Sequence, residues 1–135
     1  MRGILADNSN EGHVTILVGH LARDPWREFW LDLNLPVLTF ADVGLAPQTP
    51  DAVVWLACQQ QEVVLITINR NAHGPDSLEV TIRAQNTPTS LPVFTLADGD
   101  RIMHDKDYAE RAAKRLLEYL LEIDKVRGTG RLYLP

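Results

Sequence analysis

Apolar residues along the chain fall into short unbroken runs and longer stretches where they recur every three or four positions. The runs predict strands and the spaced stretches predict helices. Ile4-Leu5-Ala6 reads as a first strand, ending in Asp7-Asn8-Ser9-Asn10, residues that cap helices and form turns. From about Glu11, the spacing of Val14, Leu17, Val18 and Leu21 predicts a helix. Asp24-Pro25 interrupts it, and Trp26, Phe29, Trp30 and Leu33 mark a second helical piece. Leu35 to Phe40 reads as a second strand with Pro36 at its entry, where a missing N–H is tolerated. Asp42 to Pro50 reads as a loop. Thr49-Pro50-Asp51 then predicts a helix start, with a hydroxyl cap, proline at the first position and a carboxylate in the first turn. That helix runs to about Gln60, and Glu62 to Ile68 follows as a third strand. After a polar loop, Asn69 to Pro75, a helix begins near Asp76 or Ser77 and carries Leu78 and Ile82. Leu91 to Leu96 reads as a fourth strand, closed by the turn Ala97-Asp98-Gly99-Asp100. The last helix spans about Asp105 to Asp124, with Tyr108, Ala112, Leu116, Tyr119, Leu120 and Ile123 on one face.

Strands alternating with helical crossovers predict an α/β fold, a mostly parallel sheet of four or five strands sandwiched by helices. The unbroken third run suits a parallel strand covered on both faces. Residues 1–126 form the expected domain. Residues 127–135, with Leu132, Tyr133 and Leu134 beyond Gly128-Thr129-Gly130, form a C-terminal tail that is either an edge strand or an arm docking on a second copy in a homodimer. With 45 % hydrophobic residues, 135 residues suffice for a core without a disulfide, which the single cysteine forbids. Cys58 lies within an apolar run and reads as a small buried hydrophobe. No apolar stretch approaches a membrane span and no signal-peptide core is evident, so a cytoplasmic protein is expected. The formal charge of −5 argues against a broadly basic nucleic-acid surface. It leaves room for carboxylates that gather divalent cations and become locally positive.

Ligands of parallel sheets bind beyond the carboxyl ends of the strands. Asp7, Asp42, Asn69, Asn71, Asp98 and Asp100 follow predicted strands, and Asp51 and Asp76 lie in helix first turns on the same edge. Three or four converging carboxylates would suit Mg²⁺ or Mn²⁺. Asp51 and Asp76 equally suit helix dipoles, and Asp98 and Asp100 a simple turn. His13 and His20 are seven apart, on one helix face but without the spacing of a helical zinc pair, and His73 sits in the loop after the third strand. Walker A, GxGxxG and Gly-x-Ser-x-Gly patterns are absent.

Three segments carry a resemblance: Ile4-Leu5-Ala6-Asp7-Asn8; Asp42-Val43-Gly44-Leu45 with Asp51-Ala52-Val53-Val54-Trp55-Leu56-Ala57; and Val64-Leu65-Ile66-Thr67-Ile68-Asn69-Arg70-Asn71. In order and content they resemble the PIN-like superfamily, especially its small toxin-type and Mut7-C-like members. The resemblance implies a Mg²⁺- or Mn²⁺-dependent ribonuclease acting on single-stranded RNA, in which Asp7 and Asp51 match metal-site acids and Thr67 and Asn69 the polar strand end; Asp76 completes the candidate metal-binding and catalytic set. Asn8, Thr67, Asn69, Arg70, Asn71 and His73 are the candidates to contact substrate, and a toxin-like member would meet a protein inhibitor. Asn69 and Asn71 stand where many relatives carry aspartate. Either Asp76 replaces that acid after a longer loop, or the site is weakened and the domain serves to bind RNA or a protein partner.

Overall fold

The strands are β1 (Gly3–Ala6), β2 (Val37–Leu38), β3 (Val63–Thr67), β4 (Val93–Leu96) and β5 (Arg131–Leu134). A computed structural model covering residues 1–135 places them in one parallel sheet, ordered β2-β1-β3-β4-β5. The α/β class and the five-stranded parallel sheet are as the apolar runs predict. Helices cover both faces, so adjacent residues of a central strand enter two different cores. Ile4, Ala6, Val64, Ile66, Phe94 and Leu96 meet α1 (Glu11–Leu21), α2 (Arg27–Leu33), α5 (Gly99–His104) and α6 (Lys106–Leu121). Leu5, Val63, Leu65 and Val93 meet α3 (Asp51–Gln61) and α4 (Leu78–Gln85) on the other face. No helix is long and apolar enough to cross a membrane.

Several boundaries differ from expectation, each for a local reason. The second strand shrinks from Leu35–Phe40 to two residues. The carbonyl of Pro36 accepts from Ile4 N, but immediately past β2 Asp42 Oδ2 captures Thr39 N at 2.8 Å and turns the chain into a 3₁₀ turn, Ala41–Val43. Thr49 does not cap α3. Its hydroxyl donates to the Ala46 carbonyl, and Pro50 occupies the N-cap without a side-chain bond. The turn expected at Asp98–Asp100 is the start of α5, whose N-cap Asp98 accepts from Arg101 N. Six residues opening on a glycine are too few to show helical periodicity. The last helix ends at Leu121, and a short α7 (Ile123–Val126) follows. The C-terminal tail lies against its own sheet as edge strand β5, parallel to β4.

Two features anchor β5. Arg127 donates to both carboxylate oxygens of Glu62 and to the Thr89 carbonyl. Gly128, at φ +87°, lets the chain pass so close to Pro88 that a Cβ there would lie 2.9 Å from the Pro88 carbonyl oxygen. Gly44 has a similar φ of +78° but open space around it. Gly44→Ala is therefore expected to cost only the left-handed backbone penalty, about 1–2 kcal/mol. Gly128→Ala should cost distinctly more in urea unfolding, and equal losses would mean that the Pro88 contact relaxes freely.

The hydrogen bond from Arg127 is the largest of the influences that hold the Glu62 carboxyl below its ordinary range. A depressed folded-state value stabilises the fold above the unfolded-state value and ceases to do so as pH falls through the folded one. Arg127→Ala should thus lower the melting temperature most near neutral pH. The gap to wild type should narrow below about pH 4, and a gap that widens in acid would contradict this coupling.

Candidate functional site at the carboxyl edge

In the strand order β2-β1-β3-β4-β5, connections leave β1 in one direction and arrive at β3 in the other. The carboxyl ends of β1 and β3 therefore flank the switch point where parallel sheets open a crevice. Side-chain alternation decides what faces it. Leu5 and Leu65 are register partners on the α3–α4 face, and two residues on in each strand come Asp7 and Thr67. The ladder continues through Asp7 N, which donates to the Ile66 carbonyl at 3.0 Å. The Thr67 hydroxyl, fully buried, then donates to Asp7 Oδ2 at 2.6 Å. Because α3 covers this same face and follows β2, its first turn delivers Asp51 to the same edge.

Asn69 joins these groups. Its backbone N–H donates to Thr67 Oγ1 at 2.9 Å, and its side-chain Nδ2 donates to Asp51 Oδ2 at 2.9 Å. Its Oδ1 accepts from Asn71 N, and Asn71 Oδ1 accepts in turn from His73 N, two successive Asx turns that shape the loop. One hydrogen-bonded chain thus links Asp7, Thr67, Asn69 and Asp51. Asp7, Asn8, Ser9, Phe40, Pro47, Thr49, Asp51, Val54 and Asn69 line a cleft of about 310 Å³.

Asp76 lies elsewhere. It is exposed and lines an adjoining opening of about 440 Å³ with Asp51, Asn71 and His73, not with Asp7. Nowhere do three or more His, Cys, Asp or Glu side chains approach closely enough to hold a metal ion. Asp7, Asp51 and Asp76 therefore do not form one three-carboxylate centre. The longer loop carries Asp76 to the start of α4, where Ser77 is the cap. Asp42 closes the 3₁₀ turn after β2, and Asp98 caps α5.

Of the residues expected to face a substrate, Asn8 lines the Asp7 cleft, and its N–H donates to Asp7 Oδ1 at 2.7 Å. Asn71 and His73 line the Asp76 opening. Thr67 and Asn69 orient the acids. Arg70 reaches away along the edge, donating to the carbonyls of Leu96 and Ala97 and lying 5.4 Å from the Tyr133 ring centroid.

Two contributors are not evident from the sequence pattern. Asn10, fully buried, accepts from Ile68 N through Oδ1 and contacts His13 Nδ1 through Nδ2, fastening α1 to the end of β3. In the sequence it is only the last member of a turn-forming cluster. The other is Arg131, the lone charge in the final strand, whose guanidinium donates to the Asn69 carbonyl at 2.9 Å.

No lysine or arginine lines either opening. Two carboxylates on one polar cleft fit Mg²⁺ or Mn²⁺, since Mg²⁺ takes one or two carboxylates and retains several waters. An ionised carboxylate offers about four acceptor sites. The protein occupies one on each oxygen of Asp7 and one on Asp51 Oδ2, so capacity to ligate remains. Cys58, buried on α3, has its thiol pushed up to about 12, first by burial and then by the charge of Asp7. It is no nucleophile at neutral pH. A maleimide or disulfide reagent at pH 8 should label Cys58 only on unfolding, and fast stoichiometric labelling of the folded protein would contradict this placement.

Comparison of the chain with protein-family models, with curated proteins and with solved structures finds no significant match in any of the three.

Proposed function

We propose that the protein is a PIN-like, divalent-metal-dependent nuclease cleaving single-stranded RNA, with Asp7 and Asp51 as its metal-binding pair. The observation that carries this reading is that both carboxylates line one cleft at the switch point of the sheet, each held by a side chain from the end of β3. A phosphodiester entering a cleft with two aspartates and no cationic side chain would be repelled. A divalent cation reverses the sign of the local field. When bound, Mg²⁺ or Mn²⁺ would supply a nucleophile at neutral pH and offset charge on the phosphate.

The chain's own residues do the positioning. Thr67 fixes the rotamer of Asp7, and Asn69 fixes that of Asp51. Asn8, Ser9 and Thr49 offer polar atoms on the cleft wall to phosphate and to a ribose hydroxyl, the group that distinguishes RNA. Asn71, His73 and Asp76, which line the adjoining opening, would meet the strand as it leaves. A toxin-like role would add a protein inhibitor covering this edge.

A second reading, a binding module with little or no turnover, draws support from Asn69. An uncharged amide occupies the position where the resemblance leads one to expect a further acid, and its side chain is fully engaged within the protein.

Cleavage of labelled single-stranded RNA with Mn²⁺ separates the two. Asp7→Asn and Asp51→Asn should each lose about a hundredfold or more, because metal stabilisation of the transition state amounts to several kcal/mol. Asp76→Asn should lose less than about tenfold. Chelator-insensitive activity, or equal activity in wild type and Asp7→Asn, would sink the nuclease reading. RNA binding without turnover, undiminished by Asp7→Asn, would favour the binding module.

A further inference from the structure

Arg131 opens the last strand, and its side chain is only 7 % exposed. Register with Val93 turns it to the α3–α4 face, whereas Leu132 and Leu134 pack into the opposite core. Its Nε meets Glu79 Oε1 of α4 at 3.1 Å. Its Nη1 donates to the fully buried Thr95 hydroxyl at 2.6 Å and to the Asn69 carbonyl at 2.9 Å, while Nη2 is buried without a protein partner. A buried guanidinium with an unused donor is costly to keep, and a methionine of similar length would pack there at lower cost. What an apolar side chain would lose is the charged grip on Asn69, the residue whose amide holds Asp51 and whose N–H meets Thr67.

We infer that Arg131 is a positioning residue, by which the C-terminal strand fixes Asn69 and thereby sets the Asp7–Asp51 pair in its metal-binding geometry. The function rests on the metal-site reading above, but the contact with Asn69 does not. Groups that hydrogen-bond a metal ligand directly, as Asn69 does Asp51, typically matter about ten- to a hundredfold in affinity, and Arg131 acts one step behind Asn69, at the lower end of that range. Lysine keeps the charge but not the fork that reaches Thr95, Glu79 and Asn69 together.

The test measures Mn²⁺ binding, by calorimetry with the metal alone, for the full chain carrying Arg131→Met, Arg131→Lys or Leu132→Ala. All are compared at a temperature where each is folded. Leu132→Ala weakens the same strand from its other face, so it reports loss of stability without loss of the Asn69 contact. Arg131→Met should weaken Mn²⁺ binding about tenfold, Arg131→Lys should fall between it and wild type, and Leu132→Ala should stay within about twofold. Unchanged affinity in folded Arg131→Met, or an equal loss in Leu132→Ala, would overturn the inference. If wild type binds no Mn²⁺, the metal-site reading fails, and so does this function for Arg131. The side-chain amide signals of Asn69 in NMR then show separately whether Arg131 holds Asn69. They should shift and exchange faster in Arg131→Lys than in wild type, and unchanged signals would remove that contact too.

Discussion

The hydroxyl of Thr67 donates to Asp7 across 2.6 Å and joins the ends of β1 and β3 where the sheet reverses its winding. Everything proposed for this edge depends on that bond and on the alternation that creates it. Were either strand shifted by one residue, Asp7 or Thr67 would point to the α1–α6 face and the pair would not meet. The apolar partners Leu5 and Leu65, two residues earlier, make such a shift costly, because both are buried beneath α3 and α4. The core therefore sets the geometry of the site, through register.

Burying polar groups at a sheet edge is stable only when they satisfy one another. Thr67 both donates, to Asp7, and accepts, from Asn69 N. Asn69 uses its N–H, its carbonyl and both ends of its amide. This network holds two carboxylates on one cleft without any lysine or arginine among the lining residues. It is this arrangement that the proposed hard cation would complete, since a polyanion meeting the two carboxylates directly would be repelled.

The fold was largely legible in the chain, because parallel strands covered on both faces are written as unbroken apolar runs. Ile4-Leu5-Ala6, Val63 to Ile66 and Leu91 to Leu96 all read this way. What escaped was set locally: the early end of β2, cut short where Asp42 captures Thr39, and α5, too brief to show a period. The site was legible in part. Asp7, Asp51 and Asn69 could be named from their places after strands and at a helix start, and Thr67 from the family resemblance. The loop from Asn69 to Pro75, in contrast, fixes where Asp76 lands, and its path depends on two Asx turns that the sequence does not reveal. Arg131 was hidden for another reason: its partners lie more than thirty residues away in sequence, and only the register of β5 turns it toward them.

The central claim is that Asp7 and Asp51 share one cation. Anomalous diffraction from crystals soaked in Mn²⁺ tests it most directly. The account predicts a single strong peak within ligating distance of both carboxylates, lost in Asp7→Asn crystals. A peak beside Asp76 and His73 instead, or no peak at a concentration that supports binding in solution, would contradict it.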